Sequence, residues 1–141
     1  MDAIIGIWKS KKGAEENMEA FMDACKIPQA MRAVFMEREY EVTYTKGDGD
    51  NKFKTTIKIL NDPKLPAKDY DFELGKDFEY DDIDGQHFKG CVTWDGKQFV
   101  EHYKDSLGND VDIKREILTD GLMKLTMTCH GVSATIQFAK C

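Results

Sequence analysis

Arg115 sits where a charged side chain needs a reason. Val111, Ile113 and Ile117 recur at every second position around it, so in an extended strand Arg115 shares their apolar side. Turning a guanidinium toward a core costs several kcal/mol unless it is paired or hydrated. Two readings follow. Either the strand register differs and Arg115 lies in solvent, or it is an internal cation awaiting a carboxylate, with charge-assisted hydrogen bonds worth about 1.5–3 kcal/mol. Glu101 is one source of that carboxylate, because it falls between Phe99 and Tyr103 on the apolar period of the preceding segment. If residues 99–104 and 110–118 form a hairpin around Leu107, Glu101 and Arg115 become diagonal cross-strand neighbours within side-chain reach. If Glu101 lies at a wet rim instead, the two do not meet.

Other chemistry finds little support. Cys25, Cys91, Cys129 and Cys141 are scattered without a Cys-x-x-Cys pair, which reads as reduced thiols. His87, His102 and His130 do not pair at helical spacing, so no metal site is expected. Cys129 and His130 are adjacent in sequence, but in a strand they alternate to opposite faces, which parts a nucleophile from its base. Asp81, Asp82 and Asp84 read as a solvated acidic turn, and no glycine-rich phosphate loop follows a strand. The expectation is a protein that is not an enzyme and carries no cofactor. The chain has 26 acidic against 20 basic residues, a net charge of -6, which argues against nucleic acid as a partner.

These side chains need a frame, and the chain supplies two patterns for it. Met18, Phe21, Met22 and Cys25 fall at i, i+3, i+4 and i+7, with Glu15, Glu16, Glu19 and Asp23 mostly opposite, which predicts a helix. Pro28 opens a second, with Met31, Val34 and Phe35 on one face. From residue 39 the period becomes two, as in Tyr40-x-Val42-x-Tyr44, Phe53-x-Thr55-x-Ile57-x-Ile59 and Met123-x-Leu125-x-Met127-x-Cys129. Turn signals such as Asp84-Gly85, Asp95-Gly96 and His130-Gly131 punctuate the runs at the spacing of an antiparallel meander. With a first strand carrying Trp8 and about nine more after the helices, closure into a barrel is the expected way to protect the sheet edges. Two short helices cannot cover so many apolar strand faces, so those faces must look at one another. A barrel of about ten strands is wider than side chains fill, so it encloses a cavity; a solidly packed two-sheet sandwich is the alternative. The 141 residues read as one domain, 1–141. The start, Met1 to Lys9, lacks the features of a signal peptide, and no apolar run is long enough for a membrane span. A cytoplasmic monomer without stable membrane insertion is expected.

Gly6-Ile7-Trp8-Lys9, Asn17-Met18-Glu19-Ala20-Phe21-Met22, Phe72-Glu73-Leu74-Gly75-Lys76-Asp77-Phe78, and Asp84-Gly85 with Lys89 resemble the intracellular lipid-binding proteins, the fatty-acid-binding and cellular retinoid-binding proteins. The similarity runs in order along essentially the whole chain. It implies an all-β fold, a ten-stranded antiparallel up-and-down barrel with a helix-turn-helix lid between the first two strands. It also implies a carrier for a long-chain fatty acid or a related hydrophobic small molecule. Between Lys46 and Lys68 the chain is longer than the pattern, with extra residues expected in turns at the barrel ends, and Leu65 takes a portal position where many members place an aromatic.

By the same resemblance Ile113-Lys114-Arg115 matches the family's internal arginine. The last strand departs from the pattern: where members that clamp a carboxylate carry Arg-x-Tyr, this chain has Ile136-Gln137-Phe138, with Gln137 alternating outward. A carboxylate would lean on Arg115 alone, or the ligand is a retinoid or another weakly acidic or neutral lipid. Candidate lining residues are Phe21, Met31, Phe35, Leu65, Tyr103, Leu125, Met127, Ile136 and Phe138, each of which also suits a plain core. At about 0.8 kcal/mol per buried methylene, some fifteen methylenes offer at most about 12 kcal/mol, before ordering and association costs. The acidic face of the first helix is poorly suited to anionic membranes, so ligand transfer through water is expected.

Overall fold

The computed structural model describes residues 2–141. The alternating segments form β1 (Gly6–Ser10), β2 (Tyr40–Lys46), β3 (Lys52–Ile59), β4 (Lys68–Glu73), β5 (Asp77–Asp81), β6 (His87–Trp94), β7 (Gln98–Asp105), β8 (Asp110–Ile117), β9 (Leu122–Cys129) and β10 (Val132–Lys140). Between β1 and β2 lie α1 (Met18–Ala24) and α2 (Gln29–Glu37). All ten strands join one antiparallel sheet in the order β4-β3-β2-β1-β10-β9-β8-β7-β6-β5, curled into a nearly closed barrel. The sandwich alternative is excluded, since one continuous ladder runs through every strand. Trp8 pins the start of this ladder: it is fully buried and its indole N–H donates to the Ile4 carbonyl at 2.7 Å. At the β9–β10 turn, His130 and Gly131 both take positive φ, the twist that a two-residue hairpin connection requires.

The ladder breaks at one place. β4 and β5 are the ends of the sheet and do not hydrogen-bond to each other. Aromatic rings cross this slot instead. Tyr70 on β4 stacks on Tyr80 of β5 with centroids 4.4 Å apart, and Phe72 meets Phe78 at 5.9 Å. Ring stacking thus holds together two edges that backbone bonding leaves open.

The two helices are held differently. Ahead of α1, Glu16 makes a strand-like bridge to Thr135 and Asn17 donates its side-chain amide to the Ser133 carbonyl at 2.7 Å. Those bonds keep Glu15 and Glu16 outside the helix, so the acidic face expected from them shrinks to Glu19 and Asp23. Phe21 and Met22 then enter the barrel end against Cys25, Cys129 and Ala134. No residue of α2 is fully buried. Its inner stripe runs through Met31, Phe35 and Arg38, and Val34, expected on that face, is 41% exposed at its margin. Arg38 lies over the Phe35 ring and donates to both Asp84 oxygens at 2.8 and 2.9 Å, tying the end of α2 to the β5–β6 turn. Residues 47–51 and 60–67 form the turns on either side of β3. Among the described residues no helix is long and apolar enough to cross a membrane.

The interior holds two clusters of buried side chains rather than one. The first contains Trp8, Val42, Tyr44, Phe53, Phe99, Met123, Leu125 and Phe138, and the second is the group under α1. Between them Ile57, Ile113, Met127 and Ile136 pack against the first cluster yet stay only half-buried, and Met127 touches both. These four side chains mark the waist of the barrel, where burial is less complete than within either cluster.

If the ring stack closes the slot, Tyr80→Leu keeps apolar bulk but loses stacking and is expected to cost about 1 kcal/mol in urea unfolding. Amide exchange should accelerate in β4 and β5 before the rest of the barrel; uniform exchange would show that the slot is held by something else.

Candidate functional site

The period of two places Arg115 on β8 and Glu101 on β7 inside the barrel. In the register, Phe99 faces Arg115 and Glu101 faces Ile113, so Glu101 and Arg115 are the diagonal neighbours the hairpin reading required. Arg115 Nε donates to Glu101 Oε2, and the Tyr103 hydroxyl donates to Glu101 Oε1. The pair is enclosed: the Arg115 side chain is 11% exposed and that of Glu101 4%. The solvent reading of Arg115 and the wet-rim reading of Glu101 both fall. Room for Tyr103 comes from Gly90 directly across β6, where a Cβ would run into the Tyr103 ring. Burial alone would push the Arg115 guanidinium down, but the Glu101 carboxylate beside it holds it well above its usual range.

Facing this pair is a row of hydroxyls. Tyr44 on β2 is directly paired with Thr55 on β3, and Thr55 with Tyr70 on β4. The Arg115 guanidinium lies 5.8 Å from the centre of the Tyr44 ring. Tyr44 is 2% exposed and its hydroxyl has no hydrogen-bond partner among the described residues, while the Thr55 hydroxyl, on a residue 1% exposed, lies beside that of Tyr70. Burial, and secondarily the Glu101 charge, raises the Tyr103 phenol well above its ordinary value and pushes Tyr70 up to about 12. Burial likewise raises Tyr44 well above its usual range. These phenols remain protonated at neutral pH and keep their hydrogens to donate.

Of the candidate residues, the structure brings Arg115, Glu101 and Tyr103 into one bonded group. Leu125 is directly paired with Arg115 and with Ile136, and Met127 with Ile113 and Ala134, so these apolar side chains continue inward from the ion pair. Phe138 pairs with Met123 at the sealed end of the barrel. Phe21 and Phe35 belong to the cluster under the helices. Met31 and Leu65 are half-buried, on α2 and on the turn between β3 and β4, and belong to neither cluster. Tyr44, Thr55, Tyr70 and Tyr80 were not among the candidates. Their signal was available, since a hydroxyl on the apolar period must find a partner inside.

Two clefts of about 450 and 390 Å³ open along the β4–β5 slot. Charged residues such as Lys54, Asp71, Asp77 and Glu79 form their rims, which marks them as outer grooves and not as the apolar waist. Among the described residues no group of His, Cys, Asp and Glu converges as metal ligands would. The histidines serve as clips on the surface: His87 bonds Asp81 at 2.7 Å and Glu79 at 2.9 Å, and His102 bonds Asp112 at 2.6 Å.

Comparison with known proteins places this geometry. No family model matches the chain. Rat intestinal fatty acid-binding protein is 33% identical over 139 residues, covering 98% of each chain. Rat cellular retinoic acid-binding protein 2 is 25% identical over 139 residues, 96% of each. Among solved structures, a Schistosoma mansoni fatty acid binding protein in complex with arachidonic acid superposes with a TM-score of 0.84 at 24% identity, covering 100% of this chain and 98% of that one.

Removing one partner of an enclosed ion pair strands the other. Glu101→Ala is expected to cost about 3–5 kcal/mol of stability, whereas replacing Glu101 and Arg115 together by methionine should recover most of it. Chemical denaturation of the single and double variants checks this, and equal losses in both would disprove the coupling. His87 supplies a pH test. Hydrogen bonds that its ring donates to Glu79 and Asp81 raise its pKa above 6.5. The protonated clip is whole below the unfolded value of about 6.5 and is lost as pH rises through the higher folded value. An NMR titration of His87 should therefore show a midpoint above 6.5, falling back toward that value in Glu79→Gln.

Proposed function

The chain belongs to the intracellular lipid-binding protein family, and on that premise we propose that residues 1–141 work as one non-enzymatic carrier unit for a long-chain fatty acid or similar hydrophobic ligand. The ligand chain lies at the waist of the barrel, between the two buried clusters. The half-buried state of the inward side chains Ile57, Ile113, Met127 and Ile136 carries this reading. Leu125, Met127 and Ile136 form the wall next to Arg115. Met31, Phe35 and Leu65 stand toward the helix end, where α2 is held without a buried residue and a ligand can pass. Phe21 and Phe138 cap the two ends. Flexible methionines let the waist accept more than one acyl shape. The carrier works as a monomer in the cytoplasm, where its cysteines stay reduced.

Burial of the hydrocarbon chain drives binding. At about 0.8 kcal/mol per methylene, even a partly filled waist supports micromolar to nanomolar affinity after ordering costs.

Met127→Trp separates an open waist from a solid one. With open volume the indole fills it: the melting temperature holds or rises, and displacement of a fluorescent dye by oleate weakens at least tenfold. A solid core would instead lose about 1–3 kcal/mol to overpacking. Native mass spectrometry of the purified protein, with extraction of what co-purifies, is expected to show a lipid adduct. A delipidated chain that binds neither dye nor lipid would end the carrier reading.

A further inference from the structure

We propose that the open slot between β4 and β5 receives an extended segment of another protein, one in which basic and apolar residues alternate, as an added edge strand. The slot faces outward from the barrel, and this docking is independent of the carrier reading.

Backbone capacity is the first ground. β4 pairs with β3 and β5 with β6, and neither has a strand on its other side. Every second residue of each edge therefore turns its N–H and C=O groups toward the slot with no strand to receive them. Clefts of about 450 and 390 Å³ follow the slot, the second floored by Tyr70 and Tyr80. An extended chain bonds such an edge through its own backbone, and its alternate side chains then read the rims and the floor.

Charge and shape choose the partner. Asp69 and Asp71 on β4 and Asp77, Glu79 and Asp81 on β5 alternate outward and are exposed. The 390 Å³ cleft has four of these carboxylates, Asp69, Asp71, Glu79 and Asp81, against the one amine of Lys68. His87 and Lys89 on β6 reach Glu79, and His87 also reaches Asp81, but among the described residues Asp69, Asp71 and Asp77 enter no ion pair. A strand laid antiparallel on β5 sets every second side chain directly opposite the outward carboxylates, where opposite charge is favoured. Lysine and arginine fit those positions. The side chains between them face the floor, where the Tyr70 ring stacks on that of Tyr80, and an apolar residue suits that surface. Acidic rows that hold off a like-charged edge draw in one of opposite sign.

The test uses the full chain and an end-blocked, fluorescein-labelled heptapeptide of alternating lysine and valine, titrated by fluorescence anisotropy at low salt. Saturable binding is expected, with amide NMR shifts centred on β4 and β5. Two further peptides carry the same charge but are N-methylated, one at every valine and one at every lysine, so that each lacks the donors of one edge. At least one of them should bind tenfold or more weakly. A peptide with glutamate in place of lysine should not bind. Asp71→Asn combined with Asp77→Asn, both exposed and outside any ion pair, should weaken the parent peptide at least threefold. Both methylated peptides binding as tightly as the parent, or shifts spread over the acidic surface away from the slot, would overturn strand addition in favour of diffuse charge attraction. Absence of binding by the parent peptide, or undiminished binding in the double variant, overturns the proposal as well.

Discussion

A guanidinium closed inside a β-barrel has to be answered by a carboxylate, and the answer fixes much else. Arg115 and Glu101 lie on neighbouring strands at a diagonal, so their contact exists in one register of the β7–β8 hairpin. A slip of a single residue would turn Lys114 and Val100 inward and put both partners into water. Tyr103 completes the group by donating to Glu101, and its ring fits only because Gly90 across the ladder has no side chain. Three strands, β6 to β8, are thus aligned by a polar contact at a place where apolar packing alone would tolerate sliding. Buried ion pairs contribute little net stability, but removing one partner is severe. Such a pair specifies an arrangement more than it strengthens one.

The rest of the barrel divides its labour along the same logic. Backbone hydrogen bonding holds nine strand interfaces, and aromatic stacking holds the slot between β4 and β5, where the ladder stops. α1 is fastened by Glu16, Asn17 and the buried Phe21 and Met22, whereas α2 contributes no sealed side chain and is tied at its end by Arg38 and Asp84. Local stability follows from those attachments. The segments with few buried contacts are the ones able to move without disturbing the core.

Much of this was legible in the residues. The change of period near residue 39, the turn pairs and the order of motifs led to the ten-stranded barrel with its helical insert, and register alone led to the Glu101–Arg115 contact. Four things escaped for identifiable reasons. β5 is five residues long, and its Phe78 and Tyr80 alternate with Asp77, Glu79 and Asp81, too short a run for periodicity to separate from the acidic turn that follows. Helical spacing put Val34 inward, but a helix held through Arg38 and Asp84 shows the barrel a narrower stripe. Glu15 and Glu16 look like first-turn acids until the strand-like pairing of Glu16 with Thr135, a partner more than a hundred residues away, is known. Tyr44 and Thr55 were visible as members of the apolar period, but where each hydroxyl points, and that of Tyr44 having no partner among the described residues, are three-dimensional facts.

An incompletely closed sheet carries a hazard beyond its own folding, because unpaired N–H and C=O groups along an edge invite the edge of another molecule. β4 and β5 are the two strands so exposed. Their outer faces carry Asp69 and Asp71 on one side and Asp77, Glu79 and Asp81 on the other. Two copies approaching edge to edge would bring these rows of like charge together before any strand could pair. The slot that leaves two edges unpaired is therefore also guarded against intermolecular β-sheet growth.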